Sequence, residues 1–470
     1  MTGSGVDDEV ALERRRHVLA HGRLAGTPLR VCPMSGEKKV VLLCQHFYPE
    51  MVSTGMHMTE LATRLAELGW QITVLTSKPS WGTDDPDAGP VPAEMVYQNV
   101  RIVRVPTLGS QSGSLVSKTV SALSFVPSVA WALWRRRAEY RSLVITTNPP
   151  FVGVLGWIIA RVFRRPYLVI VYDVFPEFAI SLGVVSADSW LAELWRRTTR
   201  LILCGAGATV VIGRDMQALI ERKMPARLHH RIVMIPNWSD ERHVRPVPMA
   251  ANTFRQEHVG EESFVVQYAG RLGDKHSLEP LIDAALLLRE TNVVFQFVGE
   301  GAKKPKLEAL VAEHALRNVQ FLPYQPMHRL AEMLSAADLS VVCLERGHTG
   351  ISVPSKAYGV LASGTPIVGI LDPEGEIGQM ITETGCGVIV EPDGNAIAEV
   401  IEKLMTDAVT MGVMSEAGRA AFLEKYTLAK AAAAYDTVLS SLSDGGPRIV
   451  TVPEASSTVP SASARAANTS

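Results

Sequence analysis

The chain has 470 residues, of which 47% are hydrophobic and 20% charged, and its formal net charge is −2 at neutral pH. This length exceeds the roughly 250–300 residues at which one hydrophobic core stops growing, so two domains are expected. The near-zero net charge provides no overall field that would attract nucleic acid, and only local patches can indicate partners.

The two ends of the chain lack the pattern of a packed core. Residues 1–36 carry acidic side chains and no continuous apolar run, so we expect a loosely ordered extension and no secretory signal. Residues 444–470 are rich in Ser, Ala, Thr and Pro and predict a disordered tail. The most apolar stretches, 123–134 and 151–160, are shorter than the roughly 18–20 residues that span a bilayer, so no transmembrane helix is predicted.

The cysteines fit reduced thiols in a protein core. Their number is odd, none belongs to a CxxC pair, and most lie inside apolar runs. They are Cys32, Cys44, Cys204, Cys343 and Cys386. This pattern favours a reducing cytoplasm.

The ordered part opens with a strand, a helix and a second strand. Residues 40–44 (VVLLC) form a continuous apolar run, typical of a strand that is buried on both faces. Apolar side chains recur at helical spacing over 56–68, and Gly69 follows as a helix-ending residue. Residues 71–77 (QITVLTS) predict the second strand. Together they predict one βαβ unit of a parallel sheet.

This alternation continues in two series. In the first half, strands are predicted at 143–148, 167–173, 208–213 and 231–237, with helices at 153–163, at 188–204 and from 214. The proline-bearing segment 245–254 has no evident core pattern and predicts the domain boundary. In the second half, strands are predicted at 264–270, 293–301, 318–324, 339–344, 365–370 and 387–392, with helices between them. The sequence therefore predicts an α/β protein with two Rossmann-like, doubly wound parallel-sheet domains, at 37–244 and 255–425.

Loops beyond the carboxyl ends of parallel strands are the first candidates for a site, because ligands bind there in open sheets. Residues 269–277 (AGRLGDKHS) place Arg271, Lys275 and His276 beside two glycines, directly before a predicted helix. Helix N-terminal amides and cations together favour an anion. A glycine turn with solvated charges explains the same spacing equally well.

A second loop, 347–359 (GHTGISVPSKAYG), places small and hydroxyl-bearing residues ahead of a helix predicted over 356–363. Gly350, Ser352 and Ser355 would let amides and hydroxyls reach a ligand, and the helix dipole favours a phosphate there. Lys356 opposes the dipole in the first turn, which indicates that it faces an anion. The alternative is a helix capped by serine.

Two further strand ends carry candidate groups. Residues 321–326 (FLPYQP) hold Tyr324 between two prolines and could present backbone groups to a nucleotide base, although a strand-ending turn explains them nearly as well. Asp173 and Glu177 follow an apolar strand and are candidates for acid–base or hydroxyl-orienting work. The alternative is an Asp that caps a helix.

The histidines give no metal pattern. The 12 histidines are scattered along the chain. His46 and His57 lie in or beside the first strand-to-helix loop, and each taken alone fits a surface or packing histidine better than a catalyst. No metal is therefore expected.

Segments spread over 40–440 follow the order of one known family. They are FYPE with STGMHMTELATRLAELGW, NPPFVGVLG, YDVFPEFAISLG, VVIGRDMQALI, VMIPNW, YAGRLGDKHSLEPLIDA, FVGEGAKKPKLE, NVQFLPYQP, LSAADLSVVCL, VPSKAYGVLASGTPIV and GCGVIVEP. Together they resemble the retaining glycosyltransferases of family 4, especially the capsular and colanic-acid types. The resemblance implies a GT-B fold, with the acceptor in the first domain, the nucleotide sugar in the second, and a last helix at 426–443 that crosses back to the first.

The resemblance also implies roles for particular residues. Gly55 would lie near the donor phosphates, Arg271 would neutralise the diphosphate, and the backbone of Tyr324 would meet the base. Ser355 and Lys356 would lie at the diphosphate and sugar. Further residues carried over are Lys275, His276, Gly299, Gly350 and Ser352 for the donor, and His46 and Asn148 for the acceptor side.

Two features depart from the family pattern. Ile351 and Gly359 stand where the family usually has a Glu pair, so the customary ribose contact is missing or supplied otherwise. His276 aligns with the common Lys that follows the glycine–arginine pair, and Lys275 stands one position early.

The family mechanism retains the anomeric configuration without an established protein nucleophile. Asp173 and Glu177 are therefore assigned to positioning the acceptor and nearby hydroxyls. Cations and backbone dipoles would neutralise the departing nucleotide diphosphate, so neither a metal nor another cofactor is expected.

Residues 115–231 form a local basic region, with 16 Lys or Arg against 7 Asp or Glu. Its arginines at 135–137, 161, 164, 165, 196, 197 and 200 stand near Trp131, Trp134, Trp157, Trp190 and Trp195. Such segments suit an anionic membrane surface, although tryptophans in the core with solvated arginines explain them almost as well. The resemblance favours a cytoplasmic, peripheral enzyme at the inner face of the plasma membrane, with a lipid-diphosphate-linked acceptor for exopolysaccharide or another cell-envelope glycan.

Other functions of the same fold stay open. A nucleotide-sugar 2-epimerase would release epimerised nucleotide sugar without an acceptor, and a non-catalytic scaffold would bind nucleotide sugar without turnover. A dinucleotide dehydrogenase is disfavoured because no GxGxxG directly follows a strand.

Overall fold

The computed structural model describes residues 38–50, 53–79, 91–109, 115–260, 262–273 and 276–443. The predicted N-terminal extension and C-terminal tail lie outside the described residues. The described part is an α/β protein built on two sheets, one of eight strands and one of six.

The first sheet has the strand order β3-β4-β2-β1-β5-β6-β7-β8. Its strands are β1 (Lys39–Leu43), β2 (Gln71–Thr76), β3 (Glu94–Tyr97), β4 (Val100–Arg104), β5 (Ser142–Thr146), β6 (Tyr167–Val171), β7 (Ala208–Val211) and β8 (Ile232–Met234). Its helices are α1 (Ser53–Glu67), α2 (Leu115–Arg135), α3 (Gly153–Val162), α4 (Glu177–Ser181), α5 (Trp190–Gly205) and α6 (Arg214–Lys223). All neighbouring strands are parallel except β3 and β4.

The β3–β4 hairpin is an element that the sequence pattern does not predict. The strands are joined by Gln98 and Asn99, both with positive φ (44° and 66°), as a two-residue turn of right-twisted strands requires. Strand β3 is exposed or half-buried throughout, so it lacks the apolar run by which the buried strands are recognised.

The second sheet has the order β11-β10-β9-β12-β13-β14, and all its neighbouring strands are parallel. Its strands are β9 (Phe264–Ala269), β10 (Val293–Val298), β11 (Val319–Leu322), β12 (Leu339–Cys343), β13 (Ile367–Ile370) and β14 (Gly387–Ile389). The helices that follow the first domain are α7 (Thr253–His258), α8 (Glu279–Leu287), α9 (Lys304–Glu313), α10 (Leu330–Ser335), α11 (Lys356–Ser363), α12 (Glu376–Thr384), α13 (Gly394–Met405), α14 (Ala408–Lys425) and α15 (Leu428–Ser443).

Two chain segments connect the domains, and they are hydrogen-bonded to each other. The amide of Ser239 donates to the carbonyl of Tyr426 (3.2 Å), and the amide of Leu428 donates to the carbonyl of Ser239 (3.0 Å). Helix α15 then packs on α1 and β5 and contributes to the core of the first domain. The last helix thus belongs to the first domain, although the chain has already passed through the second.

The boundary segment also contributes to a core. Phe254 is fully buried with Val244 in a cluster of the second domain, although 245–254 shows no core pattern in the sequence. A single aromatic between prolines and short polar residues carries no period, which is why the pattern does not reveal it.

In the part of the chain that the structure describes, each helix is too short or too polar to cross a bilayer.

Candidate active site

Each sheet has one point at which the direction of strand succession reverses. In the first sheet this point lies between β1 and β5, and in the second between β9 and β12. A crevice opens at such a switch point beyond the carboxyl ends of the strands. The loops that leave these four strands, together with the first turns of the helices that follow, contain His46, Gly55, Asn148, Arg271, Gly350, Ser352, Ser355 and Lys356.

The two crevices meet at the N-termini of α1 and α11. The hydroxyl oxygens of Ser53, in the first turn of α1, and Ser355, directly before α11, lie 2.8 Å apart. Ser355 has helical φ and ψ and makes no side-chain cap bond to its own helix, so the alternative of a serine-capped helix is wrong. Because a helix N-terminus carries partial positive charge, two such ends that face each other favour an anion between them.

Gly55 and His46 lie together beneath the start of α1. A Cβ at Gly55 would come within 3.3 Å of the His46 carbonyl carbon, so the helix starts tightly against the loop after β1. His46 is buried, and its Nδ1 lies 3.0 Å from Oε2 of Glu50. Glu50 therefore fixes the orientation of the His46 ring.

The second domain presents an open surface at the ends of β9 and β10, next to the N-terminus of α11. Gly299 has φ +140°, and a Cβ there would lie 2.1 Å from the carbonyl oxygen of Gly270, so only glycine fits. The ring of Tyr324 flanks Gly299, and its hydroxyl lies 3.5 Å from the Glu300 carbonyl. Tyr324 is 49% exposed, which leaves the ring accessible to a ligand.

A lysine ammonium lies beneath the end of β9. Nζ of Lys356 is 3.5 Å from the ring centroid of Tyr268 and close to the backbone of Gly270. Burial raises the pKa of the Cys343 thiol to about 11, and the positive charges of Lys356 and Lys303 oppose this rise. A cation thus stands in the β9–β12 crevice, where the chain continues into Arg271.

His276 points into the domain. It is buried, and its ring packs edge-on against Tyr268 at a centroid distance of 5.9 Å. Its carbonyl accepts a hydrogen bond from the Lys303 ammonium (2.8 Å). Lys275 lies outside the described residues.

The two first-domain carboxylates have different surroundings. Asp173 pairs with Ser352 in an antiparallel bridge, and the amide of the next residue, Val174, donates to the Ile351 carbonyl (2.9 Å). Helix α4 begins after Pro176, so Asp173 does not cap it. Glu177 is instead ion-paired with Lys223 at 2.5 Å.

Asp173 also lines a recess of the first domain. This recess lies beyond β5 and β6, and its wall includes Thr147, Pro150, Phe175 and Thr199. The Thr147 hydroxyl accepts hydrogen bonds from the amides of Tyr172 and Asp173, at 3.1 and 3.3 Å. Asn148 follows directly, and its carbonyl accepts from the Thr146 hydroxyl (3.0 Å).

Sequence reasoning did not identify Ser53, Glu50 or Asp215. The Asp215 carboxylate accepts a hydrogen bond from the Gly350 amide (2.9 Å), which ties the loop 347–355, here called the serine loop, to the first domain. Asp215 lies in the segment VVIGRDMQALI and follows β7 at the same edge of the sheet. Because Asp215 follows a parallel strand, its position in the sequence could have identified it as a candidate site residue.

Two doubly wound domains whose strand ends meet across a cleft define the GT-B architecture. The chain matches the family model "Glycosyl transferase 4-like domain" over residues 54–238 and "Glycosyl transferases group 1" over residues 250–421. It is 31% identical over 270 residues to the probable glycosyltransferase WbjE of Pseudomonas aeruginosa, covering 57% of this chain and 67% of that protein. It is 25% identical over 369 residues to the putative colanic acid biosynthesis glycosyl transferase WcaI of Escherichia coli K12, covering 76% and 89%.

Solved structures agree on the fold. Sucrose-phosphate synthase of Thermosynechococcus elongatus has a TM-score of 0.69 at 20% identity, covering 86% of this chain and 99% of that one. Anabaena HepE in complex with UDP-glucose has a TM-score of 0.65 at 16% identity, with coverage of 86% and 99%. WaaG, a glycosyltransferase involved in lipopolysaccharide biosynthesis, has a TM-score of 0.62 at 16% identity, with coverage of 88% and 100%. The chain belongs to the family 4 glycosyltransferases, has the GT-B fold, and is a glycosyltransferase.

Proposed function

We propose that the enzyme transfers a sugar from a nucleotide-sugar donor to a lipid-linked acceptor, with retention of configuration, in the synthesis of a cell-surface polysaccharide or glycolipid. The observation that carries this proposal is the approach of the α1 and α11 N-termini, with Ser53 and Ser355 in contact and Lys356 beside them. A nucleotide diphosphate is an anion that matches this arrangement. The UDP-glucose complex of HepE and the names of WcaI and WaaG support the donor and the pathway class.

The leaving group is the natural target of the positive groups. As the bond from the sugar to the diphosphate breaks, negative charge grows on the diphosphate, and fixed cations and helix amides stabilise it without reorganisation. Arg271 and Lys356 supply the cations in this proposal, and no metal is required. Asp173 and Glu177 position the acceptor and nearby hydroxyls, Asp173 beside the serine loop and Glu177 through its pair with Lys223.

One face of the first domain supports the proposal of an acceptor at a membrane. The segments β4-α2-β5, β5-α3-β6 and β6-α5-β7 all cross the sheet in the same direction, so right-handed connections put α2, α3 and α5 on the same face. Five apolar residues on one face of α2 are 39% to 72% exposed: Val116, Val120, Leu123, Trp131 and Trp134. Exposed apolar residues continue this face on α3 and α5, namely Ile158, Val162, Trp190, Leu191 and Leu194.

Arginines accompany these exposed apolar residues. The Arg137 guanidinium lies 5.2 Å from the Trp134 ring, and that of Arg161 lies 5.3 Å from the Trp157 ring. An apolar helix face with interspersed arginines fits the boundary between acyl chains and anionic headgroups. We therefore propose that the enzyme is cytoplasmic and peripheral, with α2 lying on the inner leaflet of the plasma membrane.

The test is thermal unfolding with a panel of UDP-, GDP-, dTDP- and ADP-linked sugars, followed by turnover with polyprenyl-diphosphate-linked saccharides. A ligand at 100 times its Kd stabilises a protein by roughly 2.7 kcal/mol, so a matching nucleotide sugar gives a clear shift. Acceptor-dependent release of nucleoside diphosphate, unaffected by EDTA, supports the proposal. Epimerised free nucleotide sugar would identify the epimerase of the same fold, and binding without any turnover would identify the scaffold.

A further inference from the structure

The triplet Gly213-Arg214-Asp215 of the first domain contacts the second domain along its whole length. It leaves β7 and enters α6 at the edge that faces the cleft. The Asp215 Oδ2 atom accepts from the Gly350 amide (2.9 Å) and the Glu376 amide (3.3 Å), while its Oδ1 accepts from the neighbouring Met216 amide (2.8 Å). One carboxylate therefore fixes both the serine loop and the start of α12.

Glu376 of the second domain makes the converse contact. Its Oε2 accepts from the Arg214 amide (2.8 Å) and from Arg214 Nε (3.0 Å), and the Glu376 side chain is only 3% exposed. The guanidinium of Arg214 also pairs with Glu383. Buried charges of this kind are retained when each is paired and hydrogen-bonded.

Together these contacts cap two helices across the domain interface. Gly213 precedes α6 and Gly375 precedes α12, and glycine has no side chain that could cap its own helix. The Asp215 carboxylate serves the first amide of α12, and the Glu376 carboxylate serves the first amide of α6. Each helix is thus completed by the other domain.

The packing leaves room only for glycine at positions 213 and 350. A Cβ at Gly213 would lie 2.7 Å from Asp215 Oδ1 and 2.9 Å from the Glu376 Cβ. Gly350 has φ +72°, and a Cβ there would lie 3.1 Å from the Asp215 carbonyl oxygen. This close approach allows the Gly350 amide to reach the Asp215 carboxylate.

We infer that Arg214 and Asp215 are positioning residues that organise the serine loop when the two domains close. The backbone of the serine loop is held by Asp215 at Gly350 and by Val174 at Ile351. An open cleft separates these partners and releases the loop that leads to Ser355 and Lys356. The inference rests on the proposed role of that loop in donor binding.

The first test measures donor affinity and turnover in Asp215→Ala and in the conservative Asp215→Asn, using the nucleotide sugar selected by the thermal panel. We expect a tenfold or greater rise in donor Kd and KM for Asp215→Ala with a lower kcat, and a smaller effect for Asp215→Asn, which keeps one acceptor oxygen. The matched control is Asp393→Ala. Asp393 caps α13 through the Ala396 amide (3.0 Å) inside the second domain, so donor Kd should stay within twofold.

A second test uses Arg214→Ala, Glu376→Gln and the double variant. If both residues act through one contact, the double variant raises donor Kd no more than the more severe single variant. Multiplicative effects of the two substitutions would contradict a shared contact.

A third measurement does not depend on activity. Small-angle scattering of the full chain should give a larger radius of gyration for Asp215→Ala than for the wild type or Asp393→Ala. Unchanged scattering together with unchanged donor Kd would overturn the inference. If the wild type binds no nucleotide sugar, the proposed function fails, and scattering alone still decides whether these contacts hold the domains closed.

Discussion

At the scale of single residues, the site depends on charges held in fixed places by aromatic and backbone groups. The Lys356 ammonium lies on the face of Tyr268, and Gly270 leaves space above it because it has no side chain. A cation–π contact in a partly desolvated crevice holds an ammonium in place without neutralising it. In the proposed function, this ammonium is one of the cations that meet the diphosphate.

Replacement of Lys356 by Met tests this charge. Met keeps the apolar stem on Tyr268 but removes the ammonium, and a charge-assisted hydrogen bond is worth about 1.5–3 kcal/mol. We expect the Kd for nucleotide sugar to rise at least tenfold by isothermal titration calorimetry, with little change in the unfolding temperature. Lys403→Met, at an exposed position of α13, is the control. Equal affinities for both variants would remove Lys356 from the donor site.

Glu60 links α1 to the connecting segment and should make stability depend on pH. The Trp238 Nε1 donates to Glu60 Oε2 (2.9 Å), and burial raises the pKa of Glu60 to about 8. Its ordinary value is 4.5, so between pH 4.5 and 8 the folded state holds a proton that the unfolded state lacks. This contribution to stability is complete below pH 4.5 and is lost as the pH rises through 8, by up to about 1.4 kcal/mol per pH unit.

Glu60→Gln tests this dependence, because Gln can accept the Trp238 bond and cannot ionise. Urea unfolding should find the variant and wild type similar at pH 5 and the variant more stable at pH 8. Glu290→Gln, on an exposed side chain, should follow the wild type at both values. A stability difference that is the same at pH 5 and pH 8 would show that Glu60 does not hold this proton.

Single residues could be singled out from the sequence where the residue type was unusual for its position. Ser355 and Lys356 stood out because a hydroxyl directly precedes a helix and a cation begins it, and the structure places both at the switch point of the second sheet. Ser53 was missed because a serine at the start of a helix has a common local explanation as a cap. Its contact with Ser355 joins positions 302 residues apart, which no local pattern contains.

At the scale of elements, buried strands were predictable and exposed ones were not. The run around β1 is recognisable because both faces are covered, whereas β3 shows neither an apolar run nor a proline or glycine at its turn. The sequence of α2 is ambiguous for a different reason, because both faces of the helix are apolar. Its inner face packs Phe125 and Val129, and its outer face is apolar as well, so the sequence lacks the polar stripe of an ordinary surface helix.

The outer face of α2 gives the prediction at this scale. In Trp131→Glu/Trp134→Glu, two stacked exposed rings (centroids 5.2 Å apart) become carboxylates without disturbing the buried face. We expect binding to vesicles with anionic phosphatidylglycerol to fall at least tenfold in co-sedimentation, because both apolar area and charge complementarity are lost. Val409→Glu, on a 79% exposed side chain of the second domain, is the control. Equal vesicle binding by the two variants would exclude α2 as the membrane-facing element.

At the scale of the whole molecule, the two-domain architecture followed from the repeated alternation of strands and helices, but the contacts between the domains did not. Asp215 caps α12 from a position 161 residues away, and Glu376 caps α6 from a position 162 residues away. Their segments have ordinary helix starts, with glycine and acidic residues, and the sequence does not say which helix each acid serves. These contacts arise only when two independently folded surfaces meet.

The path of the chain also predicts where it tolerates truncation. Helix α15 completes the first domain after the chain has left the second, and the side chains of Leu428, Tyr435, Val438, Leu439 and Leu442 are buried there. Each such side chain contributes about 1.5–3 kcal/mol, and the five together equal the roughly 5–15 kcal/mol that stabilises a whole domain. Removal of 428–470 should therefore leave no cooperative unfolding transition for the first domain in calorimetry. Removal of 444–470 alone should leave the transition unchanged, since those residues carry almost no large apolar side chains. A first domain that still unfolds cooperatively without α15 would mean that its core closes without the returning helix.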